Sequence, residues 1–306
     1  MDSKEKERAA GAFIGLAVGD ALGAALEFKR PGSFEPVDDM IGGGPFGLKP
    51  GQWTDDTSMA ICLAESLIEA GGFNAHDQMQ RYRRWYEEGY GSSTGFCFDI
   101  DVSTHEAIVE FKRSDDPWAG PTHELAGGTG SLVRVAPVPM HFRNDPVRAI
   151  KLAGESSRTT HAAPVAIAGC RYLAGLLVGA IEGRPKEELL SDHFHPVTGR
   201  WDAADLTPEI VQVTAGSYRD REPPAIVGSD RVPGALEAVL WAFSRSNDFR
   251  SGALMAVNLG DDSDTIGAIF GQLAGAFYGL ENIPAEWRER ITMSEKLHQI
   301  AHRLLD

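Results

Sequence analysis

Apolar residues recur at helical spacing along most of the chain, and in three segments glycines fall on the same stripe. Residues 8–28 carry glycines at 11, 15, 19 and 23, and residues 266–280 carry them at 267, 271, 275 and 279. Residues 164–182 carry Gly175 and Gly179 at the same interval. An interior glycine costs a helix about 1 kcal/mol relative to alanine. Each stripe therefore predicts a buried helix that another backbone approaches closely.

Further helices are predicted by the same periodicity, whereas the alternation typical of strands is weak. The segments are 59–70, 75–88, 104–112, 146–157, 233–244 and 251–258. Loops rich in glycine and proline separate them, and the longest, 182–232, is polar and shows no motif. We expect an all-α fold with the glycine-striped helices at its centre, in one domain spanning residues 1–306.

Two acidic stretches stand directly before predicted helices: residues 53–57 (WTDDT) and residues 260–265 (GDDSDT). Either stretch alone is explained by helix capping, for which one Ser, Thr or Asp suffices. If the two helix starts face each other, carboxylates about 4 Å apart repel by about 4 kcal/mol at an effective dielectric constant of 20. A helix N-terminus returns only about 0.3–1 kcal/mol per charge. The pair therefore predicts a divalent cation, and the all-oxygen ligand set favours Mg²⁺ or Mn²⁺ over Zn²⁺.

Composition narrows the range of partners and compartments. The net charge of −15 argues against general binding to nucleic acid or to an anionic membrane surface. Three scattered cysteines give no disulfide framework, so a reducing compartment is expected. Residues 1–8 are charged, unlike a signal peptide, and Arg171 interrupts the most apolar run, 162–181. We expect a cytoplasmic protein without a membrane span.

Other polar residues interrupt apolar or glycine-rich surroundings. Asp20 and Glu27 are two helical turns apart and are expected on one helical face. Asp20 is expected to be a buried structural acid, and Glu27 either a solvated helix end or a base or ligand at the metal site. The glycine-rich loop 126–134 is compatible with an ordinary turn or with an anion held by backbone N–H groups. His161, before the third striped helix, suits a cap or a phosphate. Asp99 lies in a loop whose sequence alone indicates a turn.

Taken in order, these motifs resemble the ADP-ribosylglycohydrolase family, from about residue 9 to residue 280. The resemblance rests on residues 18–27 (VGDALGAALE), 51–59 (GQWTDDTSM), 128–134 (GTGSLVR), Thr160-His161 and 260–265. It implies an all-α orthogonal helix bundle and a binuclear Mg²⁺ or Mn²⁺ centre. The implied reaction is the hydrolysis of the N- or O-glycosidic bond between ADP-ribose and a modified acceptor, with a protein arginine as the expected acceptor and ADP-ribose as the product.

The resemblance also assigns roles to residues of this chain. It implies metal ligation by Thr54, Asp55, Asp56, Asp262, Asp264 and Thr265. It implies catalytic acid–base roles for Asp99, Glu27 and Asp56. It implies that ribose and pyrophosphate are held by Gly128, Thr129, Gly130, Ser131, Leu132 and His161.

Three positions depart from the family pattern: Thr129 stands where Asn is usual, Asp101 where Gly is usual, and Val133 where Met is common. Thr129 loses an amide donor, and Asp101 adds a charge beside Asp99. Two alternative functions fit part of the pattern. They are a Mg²⁺-dependent phosphohydrolase of a nucleotide-like substrate and a non-catalytic ADP-ribose-binding or toxin-neutralising module. The intact acidic set favours the hydrolase.

Overall fold

The structure, a computed structural model, describes residues 2–197, 201–202 and 204–305. Within these residues the chain forms fourteen α-helices and no β-strand, and two isolated bridges pair Gly43 with Leu48 and Gly128 with Arg231. The all-α prediction is confirmed. In chain order the helices are α1 (Ser3–Gly23), α2 (Asp55–Ala70), α3 (Ala75–Glu88), α4 (Val102–Ser114), α5 (Pro137–His141), α6 (Pro146–Arg158), α7 (Pro164–Glu182), α8 (Lys186–Leu189), α9 (Pro208–Thr214), α10 (Val232–Arg245), α11 (Phe249–Val257), α12 (Ser263–Tyr278), α13 (Ala285–Arg290) and α14 (Ser294–Leu304).

α1 and α12 run antiparallel at the centre of the fold and touch along their glycine stripes. The facing pairs are Gly11 with Gly275, Gly15 with Gly271 and Gly19 with Gly267. A Cβ atom at Gly19 would come within 1.9 Å of the Gly267 carbonyl oxygen. No side chain larger than hydrogen fits there, so the predicted close approach of two backbones is confirmed for this pair.

The glycines of α7 are contacted by side chains instead of by another helix backbone. The side chains of Phe194 and Leu189 pack at Gly179, and the ring of Trp201 packs at Gly175. The prediction that another backbone approaches α7 is therefore wrong, because side chains of the following segment fold back onto it. α7 is long and apolar enough to cross a membrane, with a mean hydropathy of 1.7 over 18 residues, but 78% of that stretch is buried inside the protein.

The first helix ends five residues before the predicted boundary at residue 28. After Gly23 the chain turns, and the Phe28 N–H donates to the Asp261 carbonyl at 2.7 Å instead of continuing the helix. A hydrogen bond to the turn before α12 thus replaces the helical hydrogen bond that the Phe28 N–H would otherwise make. Consequently Glu27 does not share a helical face with Asp20, contrary to the prediction.

Two apolar clusters support this arrangement. The larger surrounds α1, α7 and α12, and the smaller lies between α2, α3 and α4 around Tyr82, Trp85 and Phe111. Buried Gln272 of α12 fixes the end of the glycine-rich loop and the residues that follow it. Its side chain donates to the Val133 carbonyl at 2.6 Å and accepts from the Ala136 N–H at 2.8 Å. The motif-bearing turns are therefore tied to the central helices.

Candidate active site

Asp20, near the end of α1, organises the start of α2. Its carboxylate is fully buried and accepts hydrogen bonds from the backbone N–H groups of Thr54 and Thr57 at 2.9 and 3.0 Å. The hydroxyls of the same two threonines donate to it at 3.1 and 2.6 Å. Burial, followed by the charge of Asp264, raises the pKa of Asp20. The structural role expected for this acid agrees with its contacts.

The turn before α12 is held against the turn that follows α1. Asp261 accepts from the Phe28 N–H at 2.7 Å and donates its own N–H to the Lys29 carbonyl at 2.8 Å. Ser263 adds a hydroxyl hydrogen bond to the Gly23 carbonyl at 2.8 Å. These contacts bring Glu27 next to the first turn of α12, where Asp264 lies.

Three carboxylates from separate parts of the chain, Glu27, Asp99 and Asp264, meet to form what we call the acidic cluster. Each contributes an oxygen, and the three oxygens lie within 4.8 Å of one another. Asp99 sits at φ +59°, a left-handed conformation that is costly for a residue other than glycine and is common at functional sites. The acidic cluster joins the end of α1, the loop before α4 and the start of α12.

The electrostatics of the acidic cluster favour a cation. Burial and the charge of Asp264 raise the pKa of Asp99 to about 8, and the same two causes raise that of Glu27 further. One oxygen each of Glu27, Asp56 and Asp264 is buried and accepts no hydrogen bond from the described residues. Buried, unpaired carboxylate oxygens are destabilising unless a proton or a metal compensates them. An all-oxygen set of this kind fits a hard divalent ion.

The acidic cluster lines a cavity of about 460 Å³. Most of the residues singled out in the sequence line it. They are Glu27, Asp55, Asp56, Asp99, Gly128, Thr129, Gly130, His161, Asp262, Asp264 and Thr265. The two acidic stretches and the glycine-rich loop, far apart in sequence, thus share one cavity. Burial also raises the pKa values of Asp55, Asp56 and Asp262 well above their usual range.

Three of the predicted site residues lie outside this lining. Thr54 is the N-cap of α2, and its hydroxyl bonds Asp20. The Ser131 hydroxyl pairs with that of Ser157 at 2.8 Å, and Leu132 is fully buried in the main core. The side chains of these three residues contact neighbouring helices. Their predicted contacts with a metal ion or with the substrate stay predictions.

The glycine-rich loop crosses the cavity wall beside His161. A Cβ atom at Gly130 would lie 2.5 Å from Asp101 Oδ2 and 2.9 Å from His161 Cε1. Glycine is therefore required for the loop to approach both side chains. Thr129, the departure from the usual Asn, directs its hydroxyl to the Asp230 carbonyl at 3.5 Å, so its interaction in the structure is with the cavity wall.

Asp101, the second departure, pairs with His161. Its Oδ1 atom lies 3.2 Å from His161 Nε2 and accepts from the Thr104 N–H at 2.9 Å, which caps α4. Burial raises the pKa of Asp101, but His161 and Thr104 outweigh it and hold that pKa well below its usual range. The Thr160 hydroxyl accepts from Arg134 at 2.7 Å and is left to donate to His161 Nδ1 at 2.9 Å. The Asp101–His161 contact is thus at ion-pair distance, and His161 Nε2 makes no hydrogen bond to the described residues.

Sequence reasoning missed several residues of the cavity. Asp230 and Arg231 line it, although the segment that carries them, 182–232, shows no motif in the sequence. Arg231 donates to the carbonyls of Glu124 and Leu125 at 2.7 and 2.9 Å and so attaches α10 to the glycine-rich loop. The available signal was its position directly before Val232 and Pro233, a typical helix start.

The comparisons with known proteins agree with this geometry. A family model described as ADP-ribosylglycohydrolase matches residues 1–306. The chain belongs to the ADP-ribosylglycohydrolase family, a class of glycosidic-bond hydrolases. The resemblance stated from the sequence motifs is confirmed.

Individual relatives cover nearly the whole chain. An ADP-ribosylarginine hydrolase, Tri1, of Serratia proteamaculans is 38% identical over 303 residues, which is 99% of this chain and 80% of the relative. An ADP-ribosyl-[dinitrogen reductase] glycohydrolase of Rhodospirillum rubrum is 30% identical over 291 residues, covering 94% and 91%. A solved structure titled ADP-ribosylglycohydrolase-related protein complex superposes with a TM-score of 0.87 at 42% identity and covers 99% of each chain.

Proposed function

We propose that this protein hydrolyses the N-glycosidic bond between ADP-ribose and an arginine side chain of a modified protein, with two Mg²⁺ or Mn²⁺ ions bound. The observation that carries the proposal is the sharing of one cavity by the acidic stretches and the glycine-rich loop with His161. The acids suit ribose hydroxyls and a cation, and the loop suits a diphosphate. The arginine acceptor is supported by relatives named ADP-ribosylarginine hydrolase at 38% and 39% identity.

The metal ions would be held by Asp55, Asp56, Asp262, Asp264 and Thr265, whose side chains line the cavity. When bound, such ions supply electrostatic stabilisation and lower the pKa of water. Thr54 remains a proposed ligand through its position at the start of α2.

The protein's own groups supply proton transfer and charge stabilisation. A positively charged, oxocarbenium-like sugar is stabilised by adjacent carboxylates, as in other glycoside hydrolyses. Asp99, whose pKa is raised by burial and by the charge of Asp264, is the proposed group that transfers the proton. Glu27, with an oxygen within 4.8 Å of those of Asp99 and Asp264, is the second proposed proton carrier.

The proposal is tested with purified protein and ADP-ribosyl-arginine, in Mg²⁺ and in EDTA. We expect free ADP-ribose with Mg²⁺, none with EDTA, and none from Asp264→Asn. Asp261→Asn is the matched control, because Asp261 lies in the same acidic stretch and outside the cavity lining. Asparagine also tolerates its left-handed backbone, at φ +50°.

Two results would contradict the proposal. Release of AMP in place of ADP-ribose would identify a phosphohydrolase. ADP-ribose release at equal rates by wild type and Asp264→Asn would remove the acidic cluster from the reaction.

A further inference from the structure

Large apolar side chains that stand out into solvent are concentrated around the cavity mouth. Among the described residues, four are more than two-thirds exposed: Phe28 at 69%, Phe96 at 74%, Val102 at 73% and Leu125 at 81%. All but Phe96 also line the cavity. Exposed apolar groups around a polar pocket are typical of a surface that contacts a ligand or partner.

Phe28 is held at this mouth in an unfavourable backbone conformation. Its φ of +59° is rarely adopted by a bulky residue, and its hydrogen-bond partner Asp261 is also left-handed, at φ +50°. The Phe28 N–H to Asp261 carbonyl bond, at 2.7 Å, fixes the turn. Because the ring is mostly exposed, core packing does not compensate the strain. Such strain is common where a side chain is positioned for function.

The neighbours of Phe28 at the cavity mouth indicate which part of the substrate its ring would contact. Its chain neighbour Glu27 belongs to the acidic cluster. Leu125 also lines the cavity and directly precedes the glycine-rich loop, which is proposed to hold the diphosphate. A sugar whose reacting carbon sits at the acidic cluster would therefore project its acceptor past the Phe28 ring, and its diphosphate toward Leu125.

The charge of the cavity selects among acceptors. Its described lining carries eight carboxylates but a single arginine, Arg231. A cationic group leaving through this mouth is favoured by the surrounding charge. A guanidinium is planar and weakly hydrated and stacks on aromatic rings, whereas a serine hydroxyl has no face to stack.

We propose that Phe28 determines acceptor specificity by stacking on the guanidinium of the ADP-ribosylated arginine. This inference rests on the proposed function. Val102, exposed beside Asp101, extends the same apolar surface for the peptide that carries the arginine.

The test compares Phe28→Ala, Phe28→Leu and Phe28→Tyr with wild type. The readouts are kcat/KM for ADP-ribosyl-arginine, the dissociation constant of the product ADP-ribose, and Tm as a check on folding. Phe96→Ala is the matched control, an equally exposed phenylalanine on the Asp99 loop that does not line the cavity. We expect Phe28→Ala and Phe28→Leu to lower kcat/KM by roughly 5- to 30-fold, as loss of a cation–π contact does. Phe28→Tyr and Phe96→Ala should stay within about twofold.

ADP-ribose binding separates the possible outcomes. If the ring serves the acceptor, the product binds all variants with affinity within about twofold of wild type. Equal losses in product binding and in kcat/KM would assign the ring to the nucleotide and overturn the proposal, as would unchanged kcat/KM in Phe28→Ala. A wild-type protein inactive on ADP-ribosyl-arginine would refute the proposed function itself, a result visible without any variant.

Discussion

Replacing Gly23 with alanine tests whether the contact between α1 and α12 sets the position of the acidic cluster. A Cβ atom at Gly23 would lie 2.2 Å from the Ser263 carbonyl oxygen and 2.5 Å from the backbone N and Cα of Asp264. Gly11 makes an equivalent contact, 2.2 Å to the Gly275 carbonyl oxygen, at the other end of α1. The two positions are about 18 Å apart along the helix.

The structure gives the size of the expected displacement. Real Cβ atoms do not approach other heavy atoms below 3.0 Å, so each alanine must move α12 by at least about 0.8 Å. Overpacking of this kind costs about 1–3 kcal/mol, and alanine returns up to about 1 kcal/mol through helix propensity. We expect Tm to fall by roughly 2–4 °C per kcal/mol of net loss in both variants. Only Gly23→Ala acts directly on the backbone of Asp264, and a misplacement of about 1 Å can cost about 10²-fold in rate.

Both variants are assayed by thermal unfolding and by kcat for ADP-ribose release, at a temperature where both are folded. We expect similar Tm losses, with kcat reduced about 10–100-fold in Gly23→Ala and by less than about twofold in Gly11→Ala. Equal kcat in the two variants would show that Gly23 does not position Asp264. An unchanged Tm in both would contradict the tight contact between the helices.

Two further predictions concern the charges of the cavity. Burial and the charge of Asp264 raise the pKa of Asp99 to about 8, and burial raises the pKa of Asp264 to about 6. Above about pH 4 the folded protein therefore holds protons that the unfolded chain has lost. The free energy of unfolding of the metal-free protein should therefore fall as pH rises toward 8. The difference in Tm between samples in Mg²⁺ and in EDTA should be larger at pH 8 than at pH 5.5. An equal difference at the two pH values would contradict metal binding to the ionised acids. Asp101→Asn should keep the cap of α4 and its Tm but lower kcat/KM about tenfold by releasing His161, whereas Asp101→Ala should also lose about 1 kcal/mol of stability. Wild-type kcat/KM in Asp101→Asn would show that the pair with His161 does not position the site.

The sequence by itself determined the fold class and the residues that are chemically unusual here. Glycines repeated every fourth residue are too costly for a helix unless another backbone lies against them, so a close backbone contact at α1 and at α12 was predictable, though not that the two helices meet each other. Carboxylates repeated before two helices were likewise too many for capping alone. In α7, the side chains of Phe194 and Trp201 pack against the glycines in place of another helix backbone. Glycine spacing alone could not distinguish the two cases, because it shows that a helix face lacks side chains but not which group packs there.

Tertiary structure decided which of these residues share a cavity. Glu27 reaches the acidic cluster because the chain leaves α1 at Gly23 and pairs with the turn at Asp261, a hydrogen bond between segments more than two hundred residues apart. The pairing of Asp101 with His161 and the position of Arg231 in the cavity lining likewise depend on contacts between segments far apart in sequence. Local sequence sets propensity and charge, but the distances between side chains follow from how the helices pack, and those distances define the site.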